Sequence, residues 1–494
     1  MPLRIILLFA FSYVALSQFA VKTLPGFPGE LPFKLETGYI GVGEADEVQL
    51  FYYFFESEGR PKDDPLIFWL SGGPGCANLY DILYELGPFT FDYDNSTPSK
   101  QVLKQNPYSF TKVANIIFLD SPVGTGFSYG KTSEAYDSSD TLASAHAYIF
   151  LRKWLMDHPE FLDNPLYIGG VSYSGVIVPV IVQEIYNGIE AGLEPSMNIK
   201  GYLLGNPYTN KTGDLNSRVP FAHRVSLLSD ELYKSTKENC KGNYVEVDTD
   251  NALCVNDLQQ VEQVSKTTIF AFHKTSCHLE GLTANKNDLP LDLQCIEKIY
   301  IHNILEPTCS ITSPKPNSIL KWDQSGLEEK PRDVFHIVPQ LPGPWCRDYN
   351  YVYSTIWAND KTVQEALHVR EGTVKEWQLC NNSISYAQNL PGSVEYHRNL
   401  TNKHCRALIY SGDHDMVFPY VGTQEWIYSL NLTVENSWEP WFVDAQVAGY
   451  TEKYSHNDYD LTFATVKGAG HTAPEYKPKE CLAMVGRWFA YYPL

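Results

Sequence analysis

The chain has 494 residues, of which 44% are hydrophobic, and its 38 basic and 58 acidic residues give a formal net charge of −20. That length and composition allow a large buried core. The negative charge argues against binding to nucleic acid or to anionic membrane surfaces, and beyond the N-terminus no apolar run approaches membrane-spanning length.

The first 17 residues have the pattern of a signal peptide. Residues 5–16 are mostly apolar, follow Arg4 and end at Ala15-Leu16-Ser17, and they are too few to span a membrane. We therefore predict a signal peptide over residues 1–17 and a protein that enters the secretory pathway. Five Asn-x-Ser/Thr sequons agree with that route and are candidate glycosylation sites, at Asn95, Asn210, Asn381, Asn399 and Asn431.

Strand-like and helical segments alternate in the first part of the chain. A helix is predicted over residues 139–157, and short apolar runs predict strands at residues 48–55, 66–70, 115–120, 166–169 and 199–204. This alternation predicts an α/β fold with a mostly parallel central sheet. Because the pattern then turns helical until strands resume near Ala407, we predict a core of residues 18–205 and 341–494, interrupted by a helical cap insertion and linker over 206–340.

The segment Gly170-Val171-Ser172-Tyr173-Ser174-Gly175 has the pattern of a nucleophile elbow. It follows a strand-like run and leads into the long apolar segment 176–189. In such a strand–turn–helix unit the serine hydroxyl projects at the apex of a tight turn, and the helix N-terminus favours developing negative charge. On its own, a serine in a glycine-rich turn is more often structural, so the interpretation requires catalytic partners elsewhere.

Two later loops supply those partners in the chain order of an α/β-hydrolase. One strand-like run ends in Gly412-Asp413-His414-Asp415, and another ends in Gly468-Ala469-Gly470-His471. His471 would accept the proton of Ser172, and an aspartate would orient the imidazole. Both Asp413 and Asp415 are available for that role.

A glycine-rich segment after the strand at residues 66–70 predicts an oxyanion hole. In Ser71-Gly72-Gly73-Pro74-Gly75 the missing side chains let backbone amides approach a substrate oxygen. The amide of Gly73, together with that of Tyr173, would bind the oxyanion.

Taken together, these motifs resemble those of the plant serine carboxypeptidase-like family, and the resemblance spans almost the whole mature chain. It rests on the segments 69–76, 120–129, 170–175, 205–207, 410–419, 468–474 and 475–481. The resemblance implies an α/β-hydrolase fold with an inserted helical cap, and the catalytic triad Ser172, Asp415 and His471. Asp415 is preferred over Asp413 because the acid of this loop stands just before a short apolar step to Pro419.

The same resemblance implies three disulfides among the ten cysteines: Cys76–Cys346, Cys240–Cys254 and Cys295–Cys309. Cys277, Cys380, Cys405 and Cys481 remain, and the apolar surroundings of Cys481 favour a buried thiol. No Cys or His spacing typical of a metal site is present, and we predict neither a metal nor a cofactor.

The family divides into exopeptidases and acyltransferases, and four positions bear on that choice. In the peptidases, an Asn, a Gly and two Glu residues form a hydrogen-bonded cluster that holds the substrate's terminal carboxylate. By motif position, this chain has Ser71, Gly72, Val171 and Glu85 there. Two packed carboxyls share a proton and can donate a hydrogen bond, whereas we expect a lone Glu85 to ionise and to repel a carboxylate.

Acyltransferases of this family resemble the chain in W-L-[ST]-G-G-P-G-C and in Ser174. The resemblance therefore implies transfer of an acyl group from a 1-O-β-acylglucose, through Ser172, to an acceptor hydroxyl of a specialised metabolite or sugar. A serine carboxypeptidase or an esterase is the alternative, and an inactive binding homologue is the third hypothesis. We expect a monomer or an internally cleaved two-chain form in the vacuole or outside the cell, with cleavage near Lys330 or Arg332.

One segment, residues 264–294, departs from the family pattern. Its deletion joins Gln263 to Cys295 and restores the expected helix, and both of its ends can be encoded by typical intron boundaries. We hypothesise that it is a retained, in-frame intron, which would also explain the unpaired Cys277.

Overall fold

The computed structural model of the chain describes residues 18–265, 299–306, 347 and 350–494. The predicted signal peptide, most of the segment 264–294, the pair Cys295–Cys309 and the proposed cleavage region near Lys330 and Arg332 lie outside the described residues.

The β-strands of the described part are numbered in chain order. They are β1 (Gln18–Val21), β2 (Leu35–Val42), β3 (Val48–Phe55), β4 (Leu66–Leu70), β5 (Phe89–Phe91), β6 (Leu103–Gln105), β7 (Asn115–Leu119), β8 (Tyr129–Gly130), β9 (Ser138–Ser139), β10 (Leu166–Val171), β11 (Ile199–Gly205), β12 (Tyr386–Ala387), β13 (Arg406–Gly412), β14 (Thr433–Val443), β15 (Gln446–His456) and β16 (Tyr459–Val466).

The α-helices of the described part are numbered in the same way. They are α1 (Asp140–Asp157), α2 (Ser174–Glu190), α3 (Lys211–Asn216), α4 (Arg218–Arg224), α5 (Asp230–Cys240), α6 (Ala252–Ser265), α7 (Asn350–Ala358), α8 (Lys361–Ala366), α9 (Val394–Leu400), α10 (Tyr420–Ser429), α11 (Ala473–Tyr476) and α12 (Pro478–Phe489).

One large sheet forms the centre of the fold, with the strand order β1-β2-β3-β7-β4-β10-β11-β13-β16-β15-β14. The run from β7 to β16 is parallel, and the strands on either side of it pair antiparallel. Strands β4 and β7 are entirely buried, as expected for parallel strands covered on both faces. The predicted α/β-hydrolase fold, with its mostly parallel centre, is confirmed.

Helices cover both faces of this sheet. On one face α1 and α2 contribute Phe150, Trp154 and Ile181 to an apolar cluster with the strands. On the other face α12 contributes Met484 and Trp488 to a second cluster. α1 begins after Ser139, whose hydroxyl accepts a hydrogen bond from Leu142 N at 3.3 Å and so satisfies an otherwise unpaired amide.

Helices α3 to α6 lie between β11 and β13 in the chain, within the range predicted for the cap. An apolar cluster joins α4, α5 and α6 to Met416, in the loop after β13, and to Val421, at the start of α10. The predicted disulfide Cys240–Cys254 is present and links α5 to α6. Cys481 is buried and has a free thiol, as its apolar surroundings indicated. None of the described helices combines the length and the apolar character needed to cross a membrane.

Candidate active site

Ser172 occupies the apex of the turn between β10 and α2. Its φ of 59° lies in the left-handed region, a strained conformation for a residue other than glycine. Close packing explains the small neighbours, because a Cβ at Gly175 would lie 2.5 Å from the Tyr208 carbonyl oxygen. The same atom at Gly72 would lie 2.7 Å from Ser172 Cβ. The turn therefore has the geometry of a nucleophile elbow.

The tertiary structure brings Ser172, His471 and Asp415 into one hydrogen-bonded chain. His471 Nε2 lies 2.9 Å from Ser172 Oγ, and His471 Nδ1 lies 2.8 Å from Asp415 Oδ2. Ser172 follows β10, Asp415 follows β13 and His471 follows β16, so all three stand at the carboxyl ends of parallel strands. Such an arrangement can activate a serine hydroxyl as a nucleophile.

Asp415 is fully buried, and its carboxylate is surrounded by hydrogen-bond donors. Oδ1 accepts from Val417 N at 2.7 Å, and Oδ2 accepts from Asn206 Nδ2 at 2.8 Å. Burial acts to raise the pKa of Asp415, but the charge and hydrogen bond of His471, with the bond from Asn206, bring the net shift below its ordinary value. Asp415 is therefore held as a carboxylate.

Asn206 is a residue of this site that the sequence analysis did not single out. Its Nδ2 donates to Asp415, and its Oδ1 accepts from Gly412 N at 3.1 Å, so it bridges the ends of β11 and β13. The Gly205-Asn206-Pro207 motif was noted only as part of a family pattern, although its place after a predicted strand was a usable signal.

Asp413, the other candidate acid, serves a different purpose. Its Oδ1 accepts a hydrogen bond from Gly468 N at 2.7 Å, which ties the loop after β13 to the loop that carries His471. Within the described hydrogen bonds it is Asp415, not Asp413, that contacts the imidazole.

The amides of Gly73 and Tyr173 are the predicted oxyanion hole, and Gly73 lines the same cavity as Ser172. No hydrogen bond within the described residues uses either backbone N–H, so both donors are available to a substrate oxygen. Gly73 has a φ of 116°, which a side chain would disfavour. The Tyr173 hydroxyl donates to buried Asp140 at 2.7 Å and anchors that side of the turn.

The predicted disulfide Cys76–Cys346 is wrong. Cys76, at the end of the glycine-rich loop, is bonded to Cys380, and an isolated β-bridge pairs the backbones of the same two residues. The family pattern favoured Cys346, but the approach of the chain around residue 380 to this loop is a tertiary contact that cysteine spacing does not encode. Both half-cystines line the cavity described next.

A cavity of about 650 Å³ opens above Ser172 and His471. All four positions compared with the peptidase cluster lie in its wall, namely Ser71, Gly72, Glu85 and Val171. Other lining residues include Tyr80, Tyr300, Tyr351, Leu379 and Phe418, so much of the wall is aromatic or aliphatic. A largely apolar cleft with a few convergent polar groups is typical of small-molecule sites.

The expectation that Glu85 stands alone is wrong. Asp81 and Glu85 lie at the two ends of the short helical turn Asp81–Glu85, with exposed fractions of 0% and 1%. Burial raises the pKa of Glu85 well above its ordinary value, and the charge of Asp81 raises it further. Burial also raises the pKa of Asp81 to about 6, against the lowering effect of the nearby Ser71, Glu85 and Trp69 side chains. The two groups form a coupled acid pair in which Glu85 keeps the proton.

The motif comparison could not find this pair because Asp81 lies outside the family's motif positions. The Asp-x-x-x-Glu spacing was nevertheless a signal, since residues one helical turn apart lie on the same face. None of the four carboxyl oxygens of Asp81 and Glu85 has a hydrogen-bond partner within the described residues, so protonation of Glu85, whose pKa is raised, is what offsets their burial.

A further buried carboxylate, that of Glu475, contacts residues of the cavity wall. It accepts hydrogen bonds from Tyr80 and Tyr351, both at about 3 Å, and forms an ion pair with Arg347 at 3.1 Å. Thr472, the residue after His471, also donates to it at 2.8 Å. This network links the catalytic loop to α7 and to the aromatic wall of the cavity.

His302 is a further cavity residue that the sequence analysis missed. It lies in the segment 299–306, lines the cavity, and its ring centroid is 5.4 Å from that of His471. The backbone carbonyl of His302 accepts a hydrogen bond from His471 N at 2.7 Å.

The sequon asparagines differ in accessibility. Asn95, Asn210, Asn399 and Asn431 are exposed, whereas Asn381 is half-buried. Asn381 Nδ2 donates to the Gly124 carbonyl at 2.9 Å, so a glycan there requires that bond to break. Glycosylation stays a prediction at all five positions.

The fold and the Ser172–His471–Asp415 geometry define the class: an α/β-hydrolase-fold enzyme with a serine nucleophile. A profile of the family described as serine carboxypeptidase matches residues 25–491. The chain therefore belongs to the serine carboxypeptidase family.

Relatives and solved structures agree with this assignment. Serine carboxypeptidase-like 13 of Arabidopsis thaliana is 43% identical over 493 residues, which covers 100% of this chain and 98% of the relative. Serine carboxypeptidase-like 10 of the same plant is 44% identical over 477 residues, covering 96% and 94%. The fold is similar to that of KEX1(delta)p, a prohormone-processing carboxypeptidase of Saccharomyces cerevisiae, with a TM-score of 0.68, 20% identity and coverage of 96% and 95%.

Proposed function

We propose that this chain is an acyltransferase that moves an acyl group from a 1-O-β-acylglucose, through Ser172, to an acceptor hydroxyl of a specialised metabolite or a sugar. The observation that carries the proposal is Val171. This apolar side chain stands directly before the nucleophile and lines the cavity, where a peptidase of the family has a carboxyl that helps to grip a peptide's C-terminus. Ser71 likewise stands in place of the asparagine whose side-chain amide belongs to the carboxylate-binding cluster of the peptidases.

The proposed reaction has two halves. In the first, His471 Nε2 takes the Ser172 proton while Oγ attacks the acyl carbonyl, and the imidazolium then gives that proton to the departing glucose oxygen. Asp415 stabilises the imidazolium, and the amides of Gly73 and Tyr173 bind the oxyanion. In the second half, the acceptor hydroxyl attacks the acyl-enzyme and its proton returns through His471 to Ser172.

The character of the cavity supports transfer to a neutral acceptor. Transfer exceeds hydrolysis only if the acceptor occupies the site and excludes water from the acyl-enzyme. A cleft of about 650 Å³ with aromatic walls has room for an acyl group and for part of an acceptor. No cofactor takes part in the proposed reaction.

Carboxypeptidase activity is the second candidate, and the Asp81–Glu85 pair favours it. When both groups are protonated, the pair can donate a hydrogen bond to a substrate carboxylate. Since the pKa of Asp81 is about 6, the pair carries a negative charge at neutral pH and then repels a carboxylate. A neutral polyol, in contrast, can hydrogen-bond the pair in either state. We therefore rank acyl transfer first and expect any peptidase activity to be confined to pH values below about 6.

We also propose that the protein works in the secretory route, in the vacuole or outside the cell, as a monomer or a two-chain form. The disulfides Cys76–Cys380 and Cys240–Cys254 support an oxidising compartment.

The test compares a blocked dipeptide with an acylglucose supplied together with candidate acceptors. We expect ester products from the second mixture and little amino acid release from the first at pH 7. Robust amino acid release without transfer would reverse the ranking.

Two variants at Val171 sharpen this comparison. Val171→Glu introduces a carboxyl beside the nucleophile and should raise dipeptide hydrolysis at least about tenfold, the worth of one charge-assisted hydrogen bond. Val171→Gln has the same shape without the acid and serves as the matched control. Equal dipeptidase activity in both variants would show that binding of the peptide's terminal carboxylate does not depend on a carboxyl at position 171.

A further inference from the structure

The segment that carries His302 is attached to both catalytic loops. Met416 N donates to the Ile301 carbonyl at 2.9 Å, and Ile304 N donates to the His414 carbonyl at 3.1 Å, which ties the segment to the Asp415 loop. The bond from His471 N to the His302 carbonyl ties it to the histidine loop. The position of His302 is thus determined by the same backbone that positions the triad.

The side chain of His302 reaches the cavity beside the catalytic imidazole. The centroids of the two rings are 5.4 Å apart and their planes are inclined at 69°, and the centroid of the Tyr300 ring lies 5.3 Å from that of His302. Within the part of the chain that the structure describes, no hydrogen bond involves either ring nitrogen of His302. The ring therefore offers polar atoms to whatever occupies the cavity.

His302 is neutral under ordinary conditions. The protein that surrounds the ring on the cavity wall desolvates it and so lowers its pKa, and the neighbouring charges of His471 and Arg218 act in the same direction against the opposing effect of Asp415. A neutral imidazole presents one donor and one acceptor. A group that is so weakly basic is a poor general base, which leaves proton transfer to His471.

We propose that His302 is a positioning residue that hydrogen-bonds a second hydroxyl of the alcohol whose neighbouring hydroxyl reacts at Ser172. This inference rests on the proposed function and deepens it, because it states which chemistry the alcohol must have: a polyol rather than a simple alcohol. The leaving alcohol and the incoming alcohol exchange protons with the same atom, His471 Nε2, so one imidazole beside it can orient both.

The deacylation step is balanced without any further reactant. The incoming hydroxyl oxygen forms a bond to the acyl carbon, and the bond from that carbon to Ser172 Oγ breaks. The proton of the hydroxyl passes to His471 Nε2 and from there to Ser172 Oγ, so His302 neither gains nor loses a proton.

The experiment measures how a preformed acyl-enzyme is divided between nucleophiles. The full-length protein is acylated with p-nitrophenyl acetate in the presence of methanol or glycerol, and the acetate, methyl acetate and glyceryl acetate formed are quantified. Each product is expressed relative to the acetate released by water, so an inactive or unfolded fraction of a variant cancels from the ratio.

We expect wild type to favour glycerol over methanol and His302→Ala to reduce that preference about tenfold, the worth of one neutral hydrogen bond. His302→Gln, which retains a donor and an acceptor, should recover part of it. Ile301→Ala is the matched control, because it trims a neighbouring cavity residue that has no polar side-chain atoms.

Three results overturn the inference. If wild type and His302→Ala share the same glycerol preference, His302 does not position the alcohol, while the proposed function stands. If Ile301→Ala lowers the preference as much as His302→Ala, the effect belongs to the segment and not to the imidazole. If the wild-type acyl-enzyme passes its acetyl group to neither alcohol, the proposed function fails and this inference fails with it.

Discussion

Asp81 and Glu85 form a buried pair of acids one helical turn apart, of which Glu85 lines the cavity, and no basic group neutralises them in the described part of the chain. The peptidase pattern of the family has its two glutamates in separate motifs, at the positions of Glu85 and Val171 in this chain. Here the second acid comes from the same turn of chain. The raised pKa values make the stability of the protein depend on pH, and under the proposed function its substrate preference as well.

The Asp81→Asn variant should be more thermostable than wild type at neutral pH. The pKa of Asp81 is about 6 in the folded protein and 3.8 ordinarily, so between these values the folded state binds more protons than the unfolded state. Stability is therefore lost as pH rises through about 6, and asparagine avoids that loss. We expect Tm to rise by roughly 2–4 °C at pH 7.5 and hardly at all at pH 4.

Differential scanning fluorimetry from pH 4 to 8 measures this effect. Asp94→Asn, at an exposed carboxyl, is the matched control for a general effect of net charge. A Tm increase of the same size at pH 4 and at pH 7.5 would contradict the linkage.

Ser172→Ala should abolish acylation, because Oγ is the atom that His471 Nε2 contacts at 2.9 Å. Intact-mass spectrometry after incubation with p-nitrophenyl acetate should show the acetyl adduct on wild type and none on the variant. Ser144→Ala, at a buried serine of α1 whose hydroxyl donates only to the Asp140 carbonyl, should keep the adduct. An adduct of equal yield on Ser172→Ala would exclude Ser172 as the nucleophile.

Asn206→Ala should lower kcat for ester turnover by about 10- to 100-fold. The change removes a donor from buried Asp415 and the link to Gly412, and an unsatisfied buried carboxylate costs about 1–3 kcal/mol. Rates are expressed per active site, titrated by the p-nitrophenol burst. Asn164→Ala, at another buried asparagine whose amide donates to the Pro61 and Asp64 carbonyls, controls for general destabilisation. A comparable loss of kcat in both variants would assign Asn206 a structural role.

A non-reduced digest should contain a peptide that joins Cys76 to Cys380. Cys380→Ser should destabilise the protein by roughly 2–5 kcal/mol, because the bond closes a long loop, and should slow acylation by loosening the chain next to Gly73. Cys254→Ser breaks the cap disulfide and should lower Tm while leaving the acylation rate per active site close to that of wild type. A peptide that joins Cys76 to Cys346 would restore the pairing expected from the family.

Local patterns in the sequence were sufficient for the fold class and for Ser172 and His471, whereas the choice of Asp415 over Asp413 came from the family resemblance. The apolar runs of residues 48–55 and 66–70 became strands with those bounds, and the helix predicted over residues 139–157 begins at Asp140. This worked because the hydrophobic period and the strand–turn–helix motif are properties of short segments. The chain order of serine, aspartate loop and histidine then followed from the loops at strand ends.

What the sequence determined by itself was the class of enzyme, since a nucleophile elbow and its partner loops are local patterns in a set chain order. Only the tertiary structure decided which side chains lie next to each other in the folded chain. These pairs are Cys76 with Cys380, Asp81 with Glu85, Asn206 with Asp415, and His302 with His471. Most of these contacts join residues distant in the chain, and the acid pair depends on burial, so each is set by packing and by the cost of desolvating charge rather than by any local period.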